Sequence, residues 1–224
     1  MRLCRLYFSN EEGEIVAVSH EPVRSDFSFV ANVLCLDFVN TLAISNGVES
    51  DRITNESDVI NWCVQAGIIN LEQKQFLFAQ SAKIGEPGRL LKLAISLRSE
   101  LRVIAEHIVA GRQIPTPLIG RLNEILRTKN GYNQLTREND KFTRKYFTVF
   151  YEPVQLIEPI AESAAELLSE GDLSLVKKCE NTACILFFYD NTKNHARRWC
   201  SMSDCGNRAK AAAHYRRKRK GLPQ

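Results

Sequence analysis

The sequence contains no run of 18 or more apolar residues, so it offers no candidate for a membrane-spanning helix. Its opening stretch, MRLCRLYFSNEEGEIVAVSH, holds no continuous apolar segment of the signal-peptide kind. Histidine is scarce, with four in 224 residues. No Gly-rich phosphate loop appears, and no nucleophile stands in an evident pairing with a base, so an enzyme is not expected. Internal repeats and low-complexity tracts are absent too. What remains is the expectation of a soluble, cytoplasmic protein, nucleoid-associated if bacterial. Its 44% hydrophobic and 25% charged residues suit a packed core.

Charge is present in both signs but is unevenly placed. From residue 171 onward there are 12 Lys and Arg against 4 Asp and Glu, whereas the preceding 170 residues hold 18 against 22. A basic module attached to an acidic body is the pattern of a chain that meets a polyanion through one end.

Cysteine divides the chain at the same place. Cys4, Cys35 and Cys63 are scattered and read as small buried hydrophobes, while Cys179, Cys184, Cys200 and Cys205 lie within 27 positions. The cluster reads Cys-x4-Cys, fifteen residues, Cys-x4-Cys. Each pair bends the backbone around two corners of a tetrahedron, and four thiolates leave a zinc ion no open position. One structural Zn²⁺ per chain is the leading reading; coincidental free thiols and a redox or iron–sulfur role are the alternatives. The run 185–189 is strand-like, 190–194 turn-like, and 197–199 leads back to Cys200, which suggests a hairpin between the two cysteine pairs. Its Phe and Trp side chains would supply the module's own small core. Lys177, Lys178, Arg197 and Arg198 would offset the charge of a four-thiolate zinc site.

After Cys205 the chain is rich in alanine and long cations, all strong helix formers, with Asp204 placed as an N-cap. Hairpin followed by a ligand-bearing helix is a treble-clef arrangement. Asn207, Arg208, Lys210, His214, Arg216, Arg217 and Arg219 are the candidate nucleic-acid contacts. The cations would meet phosphates, and Asn207 or Arg208 would reach a base edge. A solvated tail beyond Arg216, and a charge-balancing role for Arg208 and Lys210, are the plainer readings.

The rest reads as mainly α with small β elements, an α+β class: a mostly helical body over 1–172 and the finger over 173–224. Strands are expected at 15–18, 25–29, 132–135 and 146–150, the last two joined by polar RENDK. Helices are expected at 57–67, from Asn70, at 88–110, at 116–130 with Thr116 as cap, and at 158–169 with Pro159 in the first turn. Asp37, Asn40 and Thr41 sit inside the apolar stretch VLCLDFVNTL, either as a buried polar network or as a ligand pocket.

Trp199-Cys200-Ser201-Met202 followed by Cys205-Gly206-Asn207-Arg208-Ala209-Lys210 resembles the CGNR zinc finger. Upstream, Leu36-Asp37-Phe38-Val39-Asn40-Thr41 is similar to the L-D-F-x-N-T signature of the ABATE domain, the usual N-terminal partner of that finger. Trp62, Ala66-Gly67, Leu97-Arg98 and Leu101-Arg102 extend the likeness, which covers roughly 28–217. One departure is the upstream pair, where Cys179-Glu180-Asn181-Thr182-Ala183-Cys184 lacks the proline or glycine often found there. The resemblance implies a stress-induced transcription regulator with DNA as partner. An RNA-binding module is the alternative, and a body that oligomerises, binds a small-molecule signal or acts as an enzyme completes the range.

Overall fold

The computed structural model describes residues 27–45, 47–81, 86–138 and 141–220. The strand expected at 15–18 lies outside them; of that at 25–29 only 27–29 is described, and those residues are not in a strand.

The apolar signature stretch forms a short helix, α1 (Leu34–Val39), whose Cys35, Leu36, Asp37, Phe38 and Val39 are all buried. A helix apolar on every side belongs in the centre of a core. The chain leaves it through a small antiparallel hairpin, β1 (Leu42–Ser45) with β2 (Val48–Asp51). The next helix, α2 (Glu56–Gln65), starts one residue before Ser57 because Asn55 and Asp58 form a reciprocal capping box. It ends before Gly67, at φ +73°. Asn70 and Gln73 close the same kind of box at the head of α3 (Leu71–Ser81).

The long helix α4 (Arg89–Val109) buries Leu90, Ala94, Leu97, Leu101, Ile104 and Ala105, the stripe its three- and four-residue spacing dictates. In α5 (Thr116–Leu126) the cap is Pro115 rather than Thr116; Pro115 is extended and Thr116 is already helical. The hairpin β3 (Gly131–Glu138) with β4 (Lys141–Thr148) is longer than expected, pairing Glu138 with Lys141 inside the stretch assigned to the loop. A 3₁₀ turn (Pro153–Ile157) leads into α6 (Glu158–Glu170), where Pro159 occupies the first turn, whose missing N–H costs no intrahelical bond. Trp62 lies at the middle of the core, edge-on to Phe38 at 4.9 Å and beside Phe29 at 5.9 Å. Among the described residues, no helix is long and apolar enough to cross a membrane.

Beyond Gly171, Asp172 caps a 3₁₀ turn (Leu173–Leu175) that runs into β5 (Val176–Lys178). This strand pairs antiparallel with β6 (Phe187–Tyr189), Val176 opposite Tyr189 and Lys178 opposite Phe187. The hairpin therefore brackets the first cysteine pair instead of lying between the two pairs, and 197–199 is not a strand. The cause is Asp190. Its buried carboxylate accepts from Thr192 N and Oγ1 and from Arg197 N, folding 190–197 into a compact loop with no free edge to offer β6.

Asp204 is likewise not the helix cap. A wide helical turn (Met202–Gly206) begins at Ser201, whose carbonyl accepts Gly206 N at 2.9 Å, and continues into α7 (Asn207–Lys220). That five-residue closure turns Cys205 inward while Asp204 stays exposed.

Candidate metal centre and the helix beside it

The four finger cysteines come from two elements: Cys179 and Cys184 from the knuckle between β5 and β6, Cys200 and Cys205 from the approach to α7. Their sulfur atoms all lie within 4.8 Å of one another, and Cys184 Sγ is 3.7 Å from Cys200 Sγ. Thiolates at about 2.3 Å around a tetrahedral zinc would stand about 3.8 Å apart, so the cluster has the size zinc requires. All four are buried and none is in a disulfide. The donor set is all sulfur and complete, so the metal supplies structure and folding energy, with no position left for a substrate.

The hydrogen bond between Cys184 and Cys200 holds the Cys184 thiol below its ordinary value and pushes Cys200 above it. Backbone and side-chain donors aim at the sulfurs as well: Cys200 N points to Cys179 Sγ at 3.4 Å and Asn181 Nδ2 to Cys205 Sγ at 3.3 Å. Asn181 thus braces the knuckle that lacks the customary proline or glycine. A Cβ on Gly206 would stand 2.7 Å from Met202 Sδ, the far end of a flexible and exposed side chain that can swing aside, and 3.4 Å from the Trp199 ring.

Of the four cations expected to offset the site's charge, Arg197 is the one whose charge couples to it. Burial pulls its pKa down, opposed by Cys200, Asp190, Asp37 and Cys179. It donates to the carbonyls of Trp199 at 3.0 Å, Val30 at 2.7 Å and Cys200, and its guanidinium lies 4.2 Å from the Phe188 ring centroid. Lys177 is instead engaged with Asp190 at 2.6 Å and Arg198 with Glu180 at 2.6 Å. Lys178 sits over Phe187 at 5.9 Å.

Phe187 and Phe188 do not form a private finger core. Both are fully buried in one hydrophobic cluster that includes Leu36, Phe38, Leu97 and Leu101 of the body. The open edge of β6 is covered by body residues. Asn40 Nδ2 donates to Phe187 O at 2.8 Å while Phe187 N donates to Asn40 Oδ1 at 3.0 Å, so one side chain acts as a strand partner. Tyr189 N donates to Ala31 O at 2.8 Å, and Asn32 Nδ2 to Tyr189 O at 3.0 Å.

Asp37, Asn40 and Thr41 are all buried, and each is hydrogen-bonded to partners of its own. Asp37 accepts from Ala31 N at 2.8 Å, and burial raises its carboxyl to about 7. Thr41 Oγ1 donates to Phe38 O and accepts from Arg98, whose guanidinium also forms a bidentate pair with Asp51, both contacts 2.6 Å. One turn on, Arg102 donates to the carbonyls of Val39, Leu42 and Ile185, spanning body and finger. Arg98, Arg102 and Asp190 are not among the residues that the sequence puts forward for the site. Two arginines four apart on an otherwise apolar helix face were the signal, since buried guanidinium groups need partners.

The candidate nucleic-acid contacts lie along α7. Asn207 is exposed and donates from Nδ2 to Ser203 O at 3.1 Å, bracing the wide turn. Arg208, Lys210, His214 and Arg216 are exposed. The side chains of Arg217 and Arg219 fall outside the described ones.

A four-thiolate knuckle and helix, seated on a helical body through a buried polar seam, defines a zinc-finger protein in which body and finger share a core. Residues 176–218 match the CGNR zinc finger, and residues 32–171 match ABATE, described as "Putative stress-induced transcription regulator". The second match spans more than half of the chain, which therefore belongs to the ABATE family, with a CGNR finger following. No curated protein matches it.

Proposed function

We propose that this protein is a DNA-binding transcription regulator, not an enzyme, in which the zinc site fixes the start of α7 and α7 engages duplex DNA. The observation that carries this reading is the character of α7. Its sequence NRAKAAAHYRRKRK holds seven cations and no acid. Among the described residues, no carboxylate pairs with Arg208, Lys210, Arg216 or Lys218. Small alanines keep the helix slim enough to approach a groove while the cations reach phosphates. Arg208 is the better candidate for a base edge, because the Asn207 amide is already engaged with Ser203 O. The body would sense a signal or join two copies.

The test is duplex binding by zinc-loaded full-length protein across a salt series. Log affinity should fall with log salt, and Arg216→Ala should flatten that slope by about 0.9. Arg208→Ala should cost about 1–3 kcal/mol on the preferred site and less on random duplex. Tighter binding to single-stranded RNA than to any duplex would transfer the reading to RNA. No salt-dependent binding at all would end it.

A further inference from the structure

The geometry points to a second nucleic-acid contact element, the β3–β4 ribbon of the body, which would hold duplex DNA in addition to α7; this rests on the DNA-binding reading above. The register places Asn133 with Tyr146, Leu135 with Arg144 and Arg137 with Phe142, so these six side chains share one face. Leu135 is 65% exposed, Phe142 67% and Tyr146 37%, an unusual display of apolar surface on a two-stranded sheet. Cations stand among and beside them. Arg144 is exposed on the same face, Arg137 lies 5.8 Å from the Phe142 ring, and Lys129, ion-paired with Glu162 at 2.8 Å, lies 5.3 Å from the Tyr146 ring; Lys141, opposite Glu138, is exposed on the other face near the tip of the ribbon.

Charge argues for a polyanion. Residues 127–148 carry six Lys and Arg against two Asp and Glu, within a body, 1–170, of 18 against 22. The rest of the body therefore holds 12 against 20, and the ribbon is its basic feature. A second copy of the same face would bring like charges together, and anionic duplex would not. The base of the ribbon is firmly set: Phe147 is buried and stacked on Tyr132 at 5.7 Å, and Gly131 lets Phe147 O approach to 2.1 Å of where a Cβ would be. Eight residues of strand reach about 27 Å. A two-stranded ribbon fits a major groove of about 12 Å, where cations meet the flanking phosphates and apolar tips meet base edges.

The experiment compares zinc-loaded full-length wild type with Lys141→Gln/Arg144→Gln and with Arg208→Gln/Lys210→Gln, on duplex DNA of about 30 base pairs. The ribbon variant should bind about tenfold more weakly and show a salt slope smaller by about 1–2, with zinc content and melting temperature unchanged. In a second arm, a benzophenone photocrosslinker in place of Phe142 should attach to labelled duplex. An unchanged slope without crosslinking, while the Arg208/Lys210 variant loses binding, overturns the ribbon and leaves α7 as sole reader. A change in sedimentation mass with an unchanged slope assigns this face to a second copy and also overturns it. Absence of DNA binding by wild type removes both readings together.

Discussion

The zinc module is built of two halves with opposite surroundings, divided near Cys205. Before it, β6 is buried on both faces, paired with β5 along one edge and with Asn40 and Ala31 along the other. After it, every described side chain of α7 except half-buried Ala209 is exposed. The same four thiolates belong to both halves, so the metal joins a strand that is part of the body's core to a helix that touches almost nothing. The contrast also separates stability from binding: substitutions in the first half should unfold the protein, and those in the second should leave it folded.

Removing a metal ligand strikes both halves and should have the largest effect. Cys200→Ser should abolish stoichiometric zinc, measured by elemental analysis. Structural zinc in small fingers is worth about 10–16 kcal/mol of binding free energy, and here Phe187 and Phe188 would lose their anchor in the common core. The loss should therefore be seen as a fall in the melting temperature of the whole chain. A finger that melts while the body's transition stays put would break the comparison.

Truncation after residue 172 removes the buried half together with α7. The remaining body would expose the apolar seat of β6 and leave Asn40 and Arg102 with unmet partners, a loss of roughly 5 kcal/mol or more. Circular dichroism and light scattering should show a destabilised, aggregating fragment. A fragment with full-length stability would mean that the shared core contributes little.

Asn40→Ala probes the seam alone. It strands a buried N–H and C=O of Phe187, at about 2–4 kcal/mol in denaturant unfolding, with zinc retained. A loss below about 0.5 kcal/mol would show that water replaces the amide.

A smaller effect concerns protons. Burial raises both Asp37 and Glu158 to about 7, above their ordinary values of 3.8 and 4.5. Each binds its proton more tightly in the folded chain, so its contribution is whole below about pH 4 and is lost as pH rises through 7. Glu158→Gln keeps the neutral form at all pH values. It should match wild type at pH 5 and exceed it at pH 8 by about 1–3 kcal/mol, read as the difference between parallel unfolding curves. Equal stabilities at both pH values would place the carboxyl in solvent.

The smallest change in stability belongs to α7. Arg208→Ala should alter unfolding by no more than about 0.5 kcal/mol, because its exposed side chain has no ion-pair partner to lose among the described residues. Any larger loss would mean that the helix is packed, and the contrast between the halves would have to be redrawn.

Local signals carried much of this architecture. The stripe on α4, the Asn70 cap, the glycine stop at Gly67 and the four-cysteine spacing each depend on residues close in sequence, where helix periodicity and ligand geometry act directly. Two expectations fail, each for its own reason. Placing the finger hairpin between the cysteine pairs assumed that a strand pairs with the next extended segment, but Asp190 draws 190–197 into a loop and β6 pairs backward. Choosing Asp204 as cap relied on residue type, while the wide turn opens earlier, at Ser201.

The sequence by itself determined that a four-thiolate metal site precedes a basic, acid-free helix, because both follow from spacing and composition over a few turns of chain. Only the tertiary structure decided that Asn40 would serve as a strand partner for a residue 147 positions away, and that Arg98 and Arg102 would line one continuous seam. A buried polar side chain announces that it needs a hydrogen-bond partner, but which backbone group meets it is settled when distant segments compete for the same core.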